Sequence, residues 1–153
     1  MQKTDYSLLC RQMAALLSGV ENEISNLANA SALLWQALPD INWAGFYLMR
    51  NGQLELGPFQ GKPACTVIAM GKGVCGTAAE KREALWVPNV HAFPGHIACD
   101  CASNAEVVIP LHRNGEIYGV MDIDSPTPGG FSQEDFQGLQ AVAAEVERGL
   151  FPY

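Results

Sequence analysis

The chain has 153 residues, 48% of them hydrophobic, with nine Lys and Arg against sixteen Asp and Glu for a net charge of −7. That length supports a single domain spanning 1–153 with its own buried core, and the negative charge disfavours nucleic acid and anionic membrane surfaces as partners. No apolar run approaches the ~20 residues that cross a bilayer, so a membrane is not expected either.

In chain order, residues 5–38 carry apolar positions at helical spacing. Leu9, Met13, Leu16 and Leu17 form one stripe and Ile24, Leu27, Ala28 and Leu34 another, with a break near Gly19. Two helices, or one bent helix, are expected, ending at Pro39. "INWAGFYLMR" (41–50) is rich in strand-favouring residues and runs into Asn51-Gly52, a hairpin turn signal, with "QLELGPF" as the returning arm. "ACTVIAM" (64–70) reads as a further strand. The glycines of "GKGVCG" lead into a short helix, "TAAEKR", and "ALWVPN" is a short strand before a long loop. A second hairpin joins "AEVVIPL" to "EIYGVMDIDS" through Asn114-Gly115, with Pro110 marking an edge or an interruption. Ser132 and Asp135 cap a last helix with Phe136, Leu139, Val142, Ala143 and Val146 on one face. Helices, antiparallel hairpins and a closing helix predict an α+β domain, a central antiparallel sheet covered by helices.

The five cysteines (10, 65, 75, 99 and 101) are an odd number, with no charged, apolar leader ahead of them, so cytosolic thiols and a cytoplasmic location are expected. Cys10 sits on an amphipathic helix and reads as a small core residue. Cys65, at a strand start, is balanced between packing and chemistry. Cys75 lies between glycines at a helix N-terminus, where unpaired N–H groups lower a thiol pKa. Cys99 and Cys101 belong to a polar loop, "FPGHIACDCASN". His91 and His96 add metal-ligand types, yet Cys-x-Cys is tighter than structural zinc spacings, and no metal is expected.

Strand alternation puts Asp122 and Asp124 of "MDIDS" on one face, opposite Met121 and Ile123, and Glu106 opens the paired arm. Three acids gathered there need a cation or a shared proton; a substrate ammonium would meet that need. Trp43 and Tyr47, four apart, share a face as core or as a pocket wall.

"NWAGFYL", "PACTVIAMGKGVCGTA", "FPGHIACD", "SNAEVVIPL" and "GVMDIDS", in this order and spacing, resemble the free methionine-(R)-sulfoxide reductases, catalytic members of the GAF domain fold. The resemblance spans nearly the whole chain. It implies a GAF-like sheet, a nucleophile at Cys99, a disulfide partner at Cys65, and a third redox residue at Cys75. It also implies substrate-binding acids at Glu106, Asp122 and Asp124, one of them donating a proton, and an aromatic wall at Trp43 and Tyr47. Free methionine-(R)-sulfoxide is then the substrate and thioredoxin the external dithiol, with no bound cofactor; family members are often homodimers. Cys101 departs from the family pattern and leaves open which thiol resolves the oxidised nucleophile. A non-catalytic GAF sensor of a small ligand or of redox state is the alternative.

Overall fold

The computed structural model describes residues 3–95 and 103–152. The order is α1 (Tyr6–Leu17), α2 (Glu23–Ala37), β1 (Trp43–Arg50), β2 (Gln53–Gly61), β3 (Val67–Ile68), α3 (Gly73–Lys81), β4 (Leu85–Val87), β5 (Ala105–Arg113), β6 (Glu116–Ser125) and α4 (Gln133–Leu150). Among these residues the strands form one antiparallel sheet ordered β3-β2-β1-β6-β5-β4. This is the α+β architecture expected from the sequence.

Local chemistry sets the element ends. The Asp5 side chain accepts from Leu8 N–H at 3.0 Å to start α1, and Asn22 accepts from Ser25 N–H at 3.1 Å to start α2. Gly19, with φ +75°, separates the two helices. Ser132 and Asp135 form the reciprocal capping box of α4. Both Asn-Gly turns adopt positive φ at both residues, as the hairpin twist demands.

The sheet has two differently covered faces. Ala44, Phe46, Leu48, Val107, Ile109, Met121 and Ile123 face α1, α2 and α4 in the larger core. On the other face Trp43, Tyr47, Val108 and Val120 pack with α3 through Val74, Cys75, Ala78 and Ala79. Burying α3 against a sheet that also carries acids is what creates the site.

Several expectations are corrected. Leu16 is 37% and Ile24 54% exposed, and Ala28 is exposed too. The buried face of α2 instead runs through Asn26, Leu27, Ala30, Ser31 and Leu34. Ser31 Oγ lies within reach of Leu27 O and Pro58 O and Asn26 Nδ2 donates to Val20 O, while Asn26 Oδ1 is buried with no hydrogen-bond partner among the described residues. The strand expected over 64–70 shrinks to Val67–Ile68, which pair with Glu55 and Leu54 of β2; ahead of it Cys65 O takes the Tyr47 hydroxyl and Thr66 O the Leu56 N–H. The helix expected at 77–82 begins at Gly73, so "GVCG" forms its first turn. Pro110 lies within β5, beyond the three residues that β4 pairs, so its missing N–H interrupts no ladder with that strand.

Candidate active site

The register of the sheet builds the site row by row. Trp43 on β1 pairs with Asp124 on β6, which pairs with Glu106 on β5. In the next row Gly45 pairs with Asp122, which pairs with Val108, and beyond it Tyr47 pairs with Val120. Aromatic rings therefore stand beside carboxylates on one face, as the period of two requires.

Helix α3 supplies the thiol. Cys75 is at its third position, and its Sγ lies 3.3 Å from Asp122 Oδ2 and 3.8 Å from Glu106 Oε2. The close approach of α3 needs Gly76, where a Cβ would come within 2.4 Å of Ala69 O. Cys75 is 4%, Asp122 5% and Asp124 8% exposed, so the acids are not a solvated strand edge. Glu106 is partly buried. Among the described residues, Asp122 Oδ1 is buried with no hydrogen-bond partner.

These groups change one another's protonation. Burial, then the Asp122 charge, pushes the Glu106 carboxyl well above the ordinary range; burial, then Asp124, does the same to Asp122. The Cys75 thiol is also pushed well up, by burial first and then by Asp122, Glu106 and Asp124. This reverses the expectation of an acidic thiol at a helix N-terminus: partial charges on N–H groups are outweighed by desolvation and three carboxyl groups. Cys75 is a neutral S–H donor in this environment. The Tyr47 hydroxyl is likewise raised by burial and then by Asp122.

The aromatic side is tightly packed. Trp43 stacks with Tyr47 at a centroid distance of 5.8 Å and with Phe59 at 5.1 Å. The indole N–H donates to Lys62 O at 3.2 Å and the Tyr47 hydroxyl to Cys65 O at 2.9 Å. The rings thus grip the segment that carries Cys65. That residue is disulfide-bonded, and since Cys10 and Cys75 are free thiols, neither is its partner. Cys99 and Cys101, with His96, lie outside the described residues. His91 hydrogen-bonds through Nε2 to Asn104 Oδ1 at 2.9 Å.

Two features of the site were missed from the sequence. Phe59 reaches the aromatic group because β2 carries an extra residue between its pairings Tyr47 with Leu56 and Gly45 with Phe59. Asn104 ties the ends of the cysteine loop together: its backbone N–H reaches Ser125 O, its carbonyl takes Val90 N–H, and its amide reaches Pro126 O. The Gly57-Pro58 pair was the available sign of the irregularity in β2.

Comparison with known proteins agrees with this geometry. The GAF domain model matches residues 12–150. The free methionine-R-sulfoxide reductase of Escherichia coli K12 is 51% identical over 98% of this chain and 92% of its own. The reduced form of fRMsr of Staphylococcus aureus superposes with a TM-score of 0.94 at 46% identity, covering 97% of each chain. The free methionine-R-sulfoxide reductase of Neisseria meningitidis in complex with its substrate gives a TM-score of 0.92 at 36% identity, over 98% of this chain and 93% of that one. With a sheet face that sets buried acids and a thiol beside stacked aromatic rings, and with this likeness over nearly its full length, the chain belongs to the free methionine-R-sulfoxide reductases of the GAF domain family.

Proposed function

We propose that this chain reduces free methionine-(R)-sulfoxide to methionine, with Cys99 as nucleophile and Cys65 as the thiol that resolves it. The observation that carries the reading is the cluster of Cys75, Glu106 and Asp122, whose ligand atoms lie within 4.8 Å of one another beside the Trp43 ring. Raised carboxyl groups supply what sulfoxide chemistry lacks at neutral pH, a proton for the S=O oxygen. Glu106, the least buried of the three acids, is the donor in this reading; Asp122 and Asp124 take the substrate ammonium.

The Cys99 thiolate attacks the protonated sulfoxide sulfur, the S–O bond breaks, and oxygen ends on Cys99 as a sulfenic acid while methionine leaves. Cys65 thiol then displaces that oxygen as water, forming the disulfide. A dithiol of the thioredoxin class, in the cytoplasm, gives two electrons and two protons to restore both thiols. Support for Cys65 in this role comes from its disulfide-bonded state and from the Tyr47 hydroxyl that fixes its carbonyl. Cys75, a neutral thiol between two carboxyl groups, holds the acids in place. Peptide-bound methionine sulfoxide has neither a free ammonium nor a free carboxylate, and it would leave the buried acids unpaired.

The test has two arms. Each epimer of the free sulfoxide, and a peptide containing it, is offered with a dithiol reductant; only the free R epimer should be consumed, and equal use of the peptide would overturn the assignment. Enzyme is then mixed with excess substrate and no reductant. Cys99→Ser should yield no methionine, whereas Cys65→Ser and Cys75→Ser keep a first turnover; a full equivalent from Cys99→Ser would move the nucleophile elsewhere.

A further inference from the structure

We propose that Cys75, Glu106 and Asp122 also form an inhibitory site for a thiophilic divalent cation such as Zn²⁺. The geometry is that of three ligands waiting on one centre. With Zn–S of ~2.3 Å and Zn–O of ~2.0–2.2 Å at tetrahedral angles, sulfur and oxygen ligands stand about 3.5 Å apart. The separations from Cys75 Sγ, 3.3 Å to Asp122 and 3.8 Å to Glu106, fall on either side of that value.

A second observation points to a cation as the ligand. Asp122 is 5% exposed, and among the described residues its Oδ1 has no hydrogen-bond partner, a costly state for a buried carboxylate oxygen. Asp124 also hydrogen-bonds with the Glu106 carboxyl, the kind of contact that orients a ligating carboxylate. Glu106 is partly buried, and the three ligand atoms lie within 4.8 Å of one another. One thiol and two carboxylates fall short of the six to eight oxygens that Ca²⁺ takes, and the sulfur selects against Mg²⁺. A cation held here occupies the place assigned above to the substrate ammonium, so inhibition rests on that reading while binding itself does not.

The experiment uses substrate-oxidised enzyme, in which Cys65 is withdrawn in its disulfide, titrated with Co²⁺ as the probe. One equivalent should give a thiolate-to-cobalt charge-transfer band with intense tetrahedral visible bands, and Zn²⁺ should displace it. Cys75→Ser should lose the charge-transfer band, and Glu106→Gln, a near-isosteric change, should weaken Zn²⁺ binding by about tenfold or more, the loss that even an outer partner of a metal site can cause. A variant with Cys10, Cys65, Cys99 and Cys101 all changed to Ser should keep the band. Survival of the band in Cys75→Ser, or its loss in the variant retaining only Cys75 while that variant keeps its native circular dichroism, would overturn the site. Free methionine is then added to the Co²⁺ form. Competition supports the shared position; a Cys75-dependent band that methionine leaves unchanged would keep the metal site and refute the ammonium assignment instead.

Discussion

Gly45 and Phe59 face each other across the β1–β2 pair so closely that a Cβ on residue 45 would lie 2.3 Å from Phe59 Cβ. The bare backbone at Gly45 is what admits Phe59 to the Trp43 stack. The same absent Cβ would meet the Phe59 backbone at 2.7 Å and Pro58 O at 2.8 Å, so turning the Phe59 ring gives no relief. Gly45→Ala should therefore destabilise the fold by about 1–3 kcal/mol, the usual range for overpacking, and raise KM for the sulfoxide. Urea unfolding and steady-state kinetics check this; a variant with wild-type stability and KM would show that the contact is not needed.

Tyr47 is buried, and its hydroxyl donates to Cys65 O. Tyr47→Phe should lower stability by only about 0.5–1.5 kcal/mol, the net worth of one hydrogen bond. It should leave the first equivalent of methionine intact while slowing disulfide formation. Rapid-quench methionine yield and thiol loss, followed on the same sample, separate the two steps. Equal slowing of both would place Tyr47 on the substrate rather than on the resolving segment.

The raised Glu106 carboxyl sets a pH dependence with a definite sign. As the proton donor it must be protonated, so a first-turnover rate limited by proton donation holds up through the ordinary carboxylate range and falls as pH rises through the raised folded value. Glu106→Gln should remove that fall and slow the step by about 10²–10⁴, the usual contribution of a positioned acid.

Stability follows the same linkage. The folded state holds protons on Glu106 and Asp122 more tightly than the unfolded chain does, so their contribution is fully present below the unfolded carboxylate values, near pH 4 by ordinary reference. It is lost as pH rises toward the raised folded values. Glu106→Gln should consequently raise Tm at neutral pH relative to wild type, with the difference disappearing in acid. A Tm difference of opposite sign at pH 7 would show that the carboxylate is stabilised, not penalised, by its surroundings.

Asn104 joins His91 on one side of the cysteine loop to Pro126 after β6 on the other, through contacts of 2.9 and 2.7 Å. Both contacts are exposed, so Asn104→Ala should cost only about 0.5–1.5 kcal/mol in stability. Turnover should fall further, because the side-chain ties of Asn104 to His91 and Pro126 are lost and only its backbone bonds to Ser125 and Val90 hold that end of the segment, and KM should change little. A loss confined to Tm would make Asn104 a purely structural residue.

The sequence by itself determined the parts governed by local chemistry: two hairpins from Asn-Gly turns, the start of the last helix from Ser132 and Asp135, and alternation that sets Asp122 with Asp124 and Trp43 with Tyr47. The family resemblance rested on the segments that carry the aromatic pair, the cysteines and the acids, and the solved relatives agree with it. Only the tertiary structure decided what those residues experience. One extra residue in β2 moves Phe59 from the face covered by α1, α2 and α4 to the face of the site, a shift that residue types do not announce. The Tyr47 side chain takes the Cys65 carbonyl within the 64–70 stretch, and β3 is two residues long where strand-forming residues predicted seven. Docking of α3 buries Cys75 among carboxyl groups and raises a thiol that its helix position alone would acidify. Desolvation and like charge arise between segments distant in sequence, and a local pattern contains neither.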